Sequence, residues 1–223
     1  MCHRFTMLTY EETQDVVRAL SCGTHPAWKP DWPASAPRVD AFPGSRVGII
    51  VPNASGGVET VEATWGFAAP WAKRPVFNAR IETALSPESG MWGRALAQGR
   101  CIVPAVRFFE TQNRPDVADV SDGAAKGRRR SLYSFGMPDG DPVLLAGMRQ
   151  DGCFSVVTTQ PNASVSPVHD RMPLVLSWHE AWRWLGDGFA SLADRGAVVL
   201  DSRLEQQPAR RSRAVVDGQM SLF

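Results

Sequence analysis

The sequence predicts an α+β protein built on a curved, mostly antiparallel, barrel-like β-sheet with a few flanking helices. Three observations lead there. Six runs rich in β-branched and aromatic residues are spread along the chain, at 46–51, 61–67, 101–110, 131–135, 143–149 and 153–159. Two capping boxes, Thr9-Tyr10-Glu11-Glu12 and Ser177-Trp178-His179-Glu180, each open a helical stretch. Strands and helices do not alternate regularly, which argues against a doubly wound parallel sheet.

The first helix starts at the Thr9 box, carries Val16, Val17 and Leu20 on one face and stops at Gly23. Residues 24–45 are rich in Pro and Trp and read as an irregular loop. Strand runs follow at 46–51 and 61–67. Ser86-Pro87 is expected to open a short helix, with proline in its first turn, that ends near Gly99. After the run at 101–110, residues 112–130 carry Asn, Pro, Asp and Gly and end in Arg128-Arg129-Arg130, the composition of a solvated insertion loop. Three more strand runs lead to the helix opened by Ser177, which stops near Gly186. One domain spans 2–200, and a polar, basic tail occupies 206–223.

Bulk properties exclude more than they assign. Across 223 residues the net charge is +1, so no partner is named by overall charge, and an anion would have to meet a local patch. The four cysteines, Cys2, Cys22, Cys101 and Cys153, show no metal-ligand spacing, and only four histidines accompany them. No structural metal and no cofactor is expected. The first residues lack the apolar core of a signal peptide, and no run is long enough to cross a bilayer. A cytoplasmic monomer without membrane contact is expected, in a compartment that keeps thiols reduced.

The chemistry starts at Cys2. A small second residue permits removal of Met1, which leaves an α-amine and a thiol on adjacent carbons. An aldehyde condenses with the amine, and the thiol then closes intramolecularly onto the imine carbon to give a five-membered thiazolidine. The unperturbed amine titrates near ~8 and the thiol near ~8.5, so both are usable at neutral pH. The plainer reading is a small apolar residue near the chain start. Further along, Trp65 and Trp71 flank an aromatic stretch that serves either as core or as a platform for unstacked bases. Asn78 and Arg80 alternate onto one side of an extended segment, where an amide and a guanidinium suit a phosphate or sugar oxygen, although Arg80 could equally pair with Glu82. Glu110 follows two phenylalanines, and apolar surroundings would raise its pKa into the range of a proton carrier. His169 lies in the polar run ahead of Met172-Pro173 and is the obvious acid/base, with Asp170 or Arg171 beside it.

Together these clusters resemble the SRAP family, named for an SOS-response-associated peptidase, whose members crosslink covalently to abasic sites in single-stranded DNA. The resemblance covers roughly residues 2 to 185. It rests on Met1-Cys2-His3-Arg4-Phe5, on WGFAAPWA at 65–72, on Asn78-Ala79-Arg80-Ile81-Glu82-Thr83, on Arg100-Cys101-Ile102-Val103-Pro104 with Phe108-Phe109-Glu110, and on His169-Asp170-Arg171-Met172-Pro173, in that order. It implies the SRAP fold, Cys2 as the nucleophile, Asn78 holding the sugar or the amine, and Glu110 and His169 moving protons. It further implies Arg80 on a flanking phosphate, Thr159 and Arg171 lining the pocket, and Arg4, Trp65 and Trp71 on the DNA. The alternatives are a Cys2-dependent processing peptidase, or a catalytically weakened module that binds single-stranded DNA.

Three positions depart from the family pattern. His3 replaces a glycine and would crowd the thiol or act as an extra base. Thr111 replaces a tryptophan that would support Glu110. Asp40 replaces an asparagine, and a carboxylate near phosphates is unfavourable. Separately, the last five residues, Gln219-Met220-Ser221-Leu222-Phe223, resemble the pentapeptide that docks bacterial polymerases on the sliding clamp. In such a peptide Leu222 and Phe223 fill an apolar pocket and Gln219 bonds at its rim.

Overall fold

Strands from distant parts of the chain join into one twelve-stranded sheet, and five of them close on themselves. The computed structural model describes residues 2–23, 38–70, 72–113 and 130–205. Trp71, most of the insertion loop and the peptide holding Gln219, Leu222 and Phe223 lie outside the described residues.

In chain order the elements are β1 (Phe5–Met7), α1 (Tyr10–Cys22), β2 (Asp40–Ala41), β3 (Arg46–Pro52), β4 (Val58–Trp65), β5 (Asn78–Arg80), α2 (Ile81–Ala84), α3 (Trp92–Gln98) and β6 (Arg100–Thr111). There follow β7 (Leu132–Gly136), β8 (Val143–Gln150), β9 (Cys153–Thr159), β10 (Met172–Pro173), β11 (Val175–Leu176), α4 (Trp178–Leu185), a 3₁₀ turn (Phe189–Leu192) and β12 (Asp201–Glu205). The closed ring runs β3, β4, β9, β8, β6 and back to β3. Its pairings are antiparallel except β4 with β9, where Trp65 faces Phe154 in parallel register. A curved, mostly antiparallel barrel is therefore the architecture.

Alternation along the strands builds two cores. Val47, Ile49, Val51, Cys101, Val103, Leu145, Phe154 and Val156 share the interior cluster, which also holds Cys2, Phe5 and Trp65. Their neighbours Ile50, Ile102, Leu144, Ala146 and Val157 point the other way, against Val16 and Leu20 of α1, Trp92 of α3 and Trp184 of α4. Successive side chains of a strand face opposite sides, so a strand covered on both reads as a nearly continuous apolar run. That is why RVGIIV, CIVPAV and CFSVV look as they do. Both capping boxes form: Thr9 Oγ1 accepts from the Glu12 amide at 3.2 Å while the Thr9 amide donates to Glu12 Oε2 at 2.7 Å, and the Ser177–Glu180 pair does the same for α4.

Two expectations need correction. The helix assigned to Ser86-Pro87 begins at Trp92 instead. The chain turns at Gly90, whose φ of 56° an α-helix does not tolerate. Part of the stretch read as loop at 24–45 is strand: β2 pairs with β1, Phe5 opposite Ala41 and Thr6 opposite Asp40. The fold also runs past residue 200, because β12 pairs with β7 from Asp201 to Glu205.

Candidate active site

Cys2 sits just ahead of β1 and is wholly buried in the interior cluster. Its thiol donates to the Arg4 carbonyl at 3.6 Å, and its carbonyl accepts from Asn78 Nδ2 at 2.7 Å. Asn78 occupies the first position of β5, which lies parallel to β9 with Asn78 opposite Val156. The other amide atom, Asn78 Oδ1, is buried without a hydrogen-bond partner among the described residues, an acceptor held beside Cys2. Burial raises the Cys2 pKa strongly, and the nearby Glu110 carboxylate adds to it. The thiol is therefore protonated at neutral pH and requires a base to act as a nucleophile.

That base is close. Glu110, near the end of the long strand β6, is 1% exposed. Burial pushes its carboxyl up to about 7, with the chain's N-terminal amine pulling the other way and Asp170 adding to the rise. Thr111 in place of a tryptophan does not expose it. Phe109, inside the same strand, lies under the Arg4 guanidinium at 4.1 Å from the ring centre.

His169 approaches from the loop between β9 and β10. Its Nε2 is 3.7 Å from Glu110 Oε2, while Nδ1 lies 3.0 Å from both the backbone nitrogen and the backbone oxygen of Arg171 and 3.1 Å from Asp170. Burial lowers its pKa, so the ring is neutral at pH 7. A carboxyl titrating near neutrality and a neutral imidazole thus face each other beside a protonated thiol. His3 is half-buried and close enough to His169 to add slightly to its lowering.

The arginines divide. Arg171 is buried and doubly bonded to Glu82, Nη1 to Oε1 and Nη2 to Oε2, each at 2.9 Å, and Nη2 also donates to the Thr158 carbonyl at 2.9 Å. Glu82 is therefore taken by Arg171, the sequence partner considered for it being Arg80. Arg80 closes β5 with its side chain exposed. Arg4 pairs with Asp40 through Nε at 2.8 Å and Nη2 at 2.6 Å, and Asp40 also accepts from Thr6 Oγ1 at 2.7 Å. The aspartate that looked unfavourable for DNA is the counterion and register lock of the β1–β2 pair.

Trp65 is corrected from a base-stacking platform to a core residue. It is 0% exposed, donates from Nε1 to the Phe77 carbonyl at 2.8 Å, and packs on Phe5 and Phe154. Gly66 after it has a φ of 120°, and a Cβ there would come within 2.6 Å of Pro75 Cβ, so the Trp-Gly pair turns the chain inward. Thr159 is also buried, its hydroxyl donating to the Ala193 carbonyl at 2.5 Å. Cys2, Asn78, Glu110 and His169 are thus brought together, Arg80 opens to solvent near them, and Thr159 lies in a neighbouring cleft. Sequence reasoning missed Asp40 as a counterion and named the wrong arginine for Glu82. The signal available was that each lies inside or beside a quoted motif and carries the charge opposite to an arginine there. Among the described residues no cluster of His, Cys, Asp and Glu is arranged to hold a metal.

Comparison with known proteins gives a consistent picture. The family model described as "SOS response associated peptidase (SRAP)" matches residues 1–211. The chain is 26% identical over 197 residues to the abasic site processing protein YoqW of Bacillus subtilis, covering 83% of this chain and 80% of that one. It is 27% identical over 195 residues to the abasic site processing protein YedK of Escherichia coli, covering 83% and 79%. A crystal structure of a protein from Bordetella bronchiseptica shares the fold with a TM-score of 0.64 at 20% identity, over 92% of this chain and 100% of that one. One from Bacteroides thetaiotaomicron does so with a TM-score of 0.54 at 23% identity, over 76% and 77%.

Proposed function

The chain belongs to the SOS response associated peptidase family, and from that premise we propose that it processes abasic sites in single-stranded DNA by trapping them covalently on Cys2 after Met1 is removed. The observation that carries the reading is the convergence of a buried thiol, a carboxyl titrating near neutrality and a neutral imidazole on the segment that would hold the new N-terminus. The names of the relatives support it.

An abasic sugar is a masked aldehyde. Its ring opens when the C1′ hydroxyl loses a proton and the ring oxygen gains one; His169 is the base and Glu110 the acid in this reading, and the imidazolium then passes its proton to the Glu110 carboxylate it faces at 3.7 Å, so that both are reset before the next step. The Cys2 amine, steadied by Asn78 Oδ1, adds to the carbonyl carbon to give a carbinolamine. Protonated Glu110 gives its proton to the carbinolamine hydroxyl, water leaves and an iminium remains. The Cys2 sulfur then bonds to the iminium carbon while its proton passes to the Glu110 carboxylate. One water is released, the thiazolidine is neutral and Glu110 is restored. A thiol kept protonated until this last step suits trapping better than peptide hydrolysis, which draws on a thiolate from the start. Exposed Arg80, two residues past Asn78, is the one of the three arginines Arg4, Arg80 and Arg171 that is offered to a flanking phosphate; Arg4 and Arg171 already have carboxylates. The covalent cap would shield the lesion during the response to DNA damage, in the cytoplasm.

Incubating the protein with an abasic oligonucleotide tests the reading on a denaturing gel. Wild type gives a heat-stable adduct and Cys2→Ala none. No adduct from wild type, or an equal one from Cys2→Ala, sinks it, and strand cleavage without trapping points to an imine-based lyase.

We also propose that Gln219-Met220-Ser221-Leu222-Phe223 docks this activity on the sliding clamp. A short peptide behind a polar basic linker can reach an apolar pocket with Leu222 and Phe223. Deleting residues 219–223 is expected to abolish clamp binding in a pull-down and to leave crosslinking unchanged.

A further inference from the structure

The start of the chain is bounded by two segments that both hang on Trp65. On one side is the turn after β2, where the Gly44 amide donates to the Trp65 carbonyl at 2.8 Å and the Trp65 amide to the Ser45 carbonyl at 2.9 Å. On the other is a hairpin in which Phe67 and Val76 exchange backbone hydrogen bonds at 3.0 and 2.8 Å. The hairpin leads through Phe77, whose carbonyl accepts from Trp65 Nε1, to Asn78. Cys2 lies between the two: the Arg4 carbonyl accepts from its thiol, and Asn78 donates to its carbonyl.

Phe42 stands on the first of these walls. Phe5 pairs with Ala41 and Thr6 with Asp40, so one further step brings Phe42 opposite Arg4. Phe5 and Ala41 are wholly buried, which turns their neighbours Arg4, Thr6, Asp40 and Phe42 to the outer face. Residues paired across a ladder are about 5 Å apart and two residues of chain span at most about 7 Å, which puts Phe42 within about 10 Å of Cys2. Phe42 is 47% exposed, yet its backbone is braced. Its amide donates to Ser45 Oγ at 3.0 Å, the Ser45 amide donates to its carbonyl at 2.8 Å, and Gly44 closes the turn at a φ of 98°. An aromatic ring held in water on a fixed turn needs little further ordering when a flat partner covers it.

Charge indicates what that partner is. Beside the ring, Arg4 and Asp40 neutralise each other at 2.6 Å. On the opposite wall Lys73 and Arg74 are exposed and form no ion pair among the described residues, and Arg80 is exposed beyond Asn78. A bare ring on one side and cations on the other suit a ligand that is flat and apolar in one part and anionic in the next, as a nucleotide is. An apolar protein segment would cover the ring and leave the cations unanswered.

We propose that Phe42 is the platform on which the base next to the abasic site stacks, in place of the buried Trp65; this rests on the abasic-site reading above. The missing base leaves its neighbour with one face uncovered. The Phe42 ring covers that face without a hydrogen bond, so the contact depends little on which base it is.

The test is a double-mutant cycle on binding, made with the full-length chain. Short fluorescent single strands carry a tetrahydrofuran abasic analogue, which has no aldehyde and forms no adduct. In further strands a second analogue removes the neighbouring base on the 5′ or the 3′ side. Phe42→Ala is expected to weaken binding of the single-lesion strand by about tenfold, and removal of the base on one of the two sides should weaken it about equally. Made together, these two changes should weaken binding no more than either alone, while Phe42→Tyr stays within about twofold of wild type. Losses that add on both sides, as a general folding defect would give, overturn the platform. A Phe42→Ala chain that binds as wild type does overturns it too, and leaves the abasic-site reading standing. Failure of wild type to bind abasic single strands at all overturns both.

Discussion

Two carboxylates of this barrel are removed from water in opposite ways. Glu180, at the start of α4, is pushed up by burial, but the doubly bonded Arg195 and the Ser177 cap outweigh that and leave it below its ordinary value. Glu110, inside the strand wall, faces a histidine that burial keeps neutral, and its carboxyl rises to about 7. The desolvation penalty is of the same kind in both places. A guanidinium offsets it in one and turns the carboxylate into a fastener between α4 and the segment after it. In the other the penalty is retained and holds a proton ready near working pH.

The sharpest way to break this contrast is Glu110→Gln. Crosslinking to an abasic strand should slow by about 10²–10³, as expected for loss of a general acid/base, while Glu180→Gln changes the rate less than about twofold. Single-turnover gels measure both, and equal effects would show that the two carboxylates do not differ in kind.

Stability should move the other way. The folded pKa of Glu110, about 7, lies above the unfolded value near ~4.3. Between those values the folded chain holds a proton that the unfolded chain lacks, so stability falls as pH rises through this window and levels off above it. Glu110→Gln removes that penalty and should gain up to about 3 kcal/mol at pH 8 and almost nothing at pH 4, read from urea melts at the two pH values. A gain that does not depend on pH would place the effect in packing.

Glu180→Gln keeps a capping residue at the helix start but strips Arg195 of its counterion. A loss of about 2 kcal/mol at pH 7 is expected in the same melts, below the range for a fully buried pair because Glu180 is partly exposed. The smallest effect belongs to Arg80→Ala. It should weaken binding to single strands and reduce the slope of log affinity against log salt by a little under 1, near ~0.7 for one phosphate contact. An unchanged slope in salt titrations would remove Arg80 from the DNA path.

Most of the barrel was legible because β3, β6, β8 and β9 are covered on both faces over much of their length and spell apolar runs, while β4 mixes buried apolar with exposed polar positions, and both capping boxes are local in sequence. What escaped is held by pairing: β1, β2, β5, β10 and β11 are two or three residues long and exist because a neighbour supplies hydrogen bonds. The helix placed at Ser86-Pro87 failed because Gly90 turns the chain before a helix can start. Within the site, Cys2, Asn78, Glu110 and His169 could be chosen by residue type and motif. The fate of Trp65 could not, because WGF is written the same way whether the indole faces a base or the barrel interior.

By itself the sequence determined which chemistry was available: a cysteine at the second position, a carboxyl after two phenylalanines, a histidine ahead of a strand, and strands enough to close a barrel. Only the tertiary structure decided which charges remain usable. Arg171 finds Glu82 across 89 positions of chain and Arg4 finds Asp40 across 36, while Arg80 stays in solvent. The reason is physical. A residue type fixes what a side chain can donate, accept or protonate, but its pKa and its net charge are set by burial and by the partner folded against it, and neither is local in sequence.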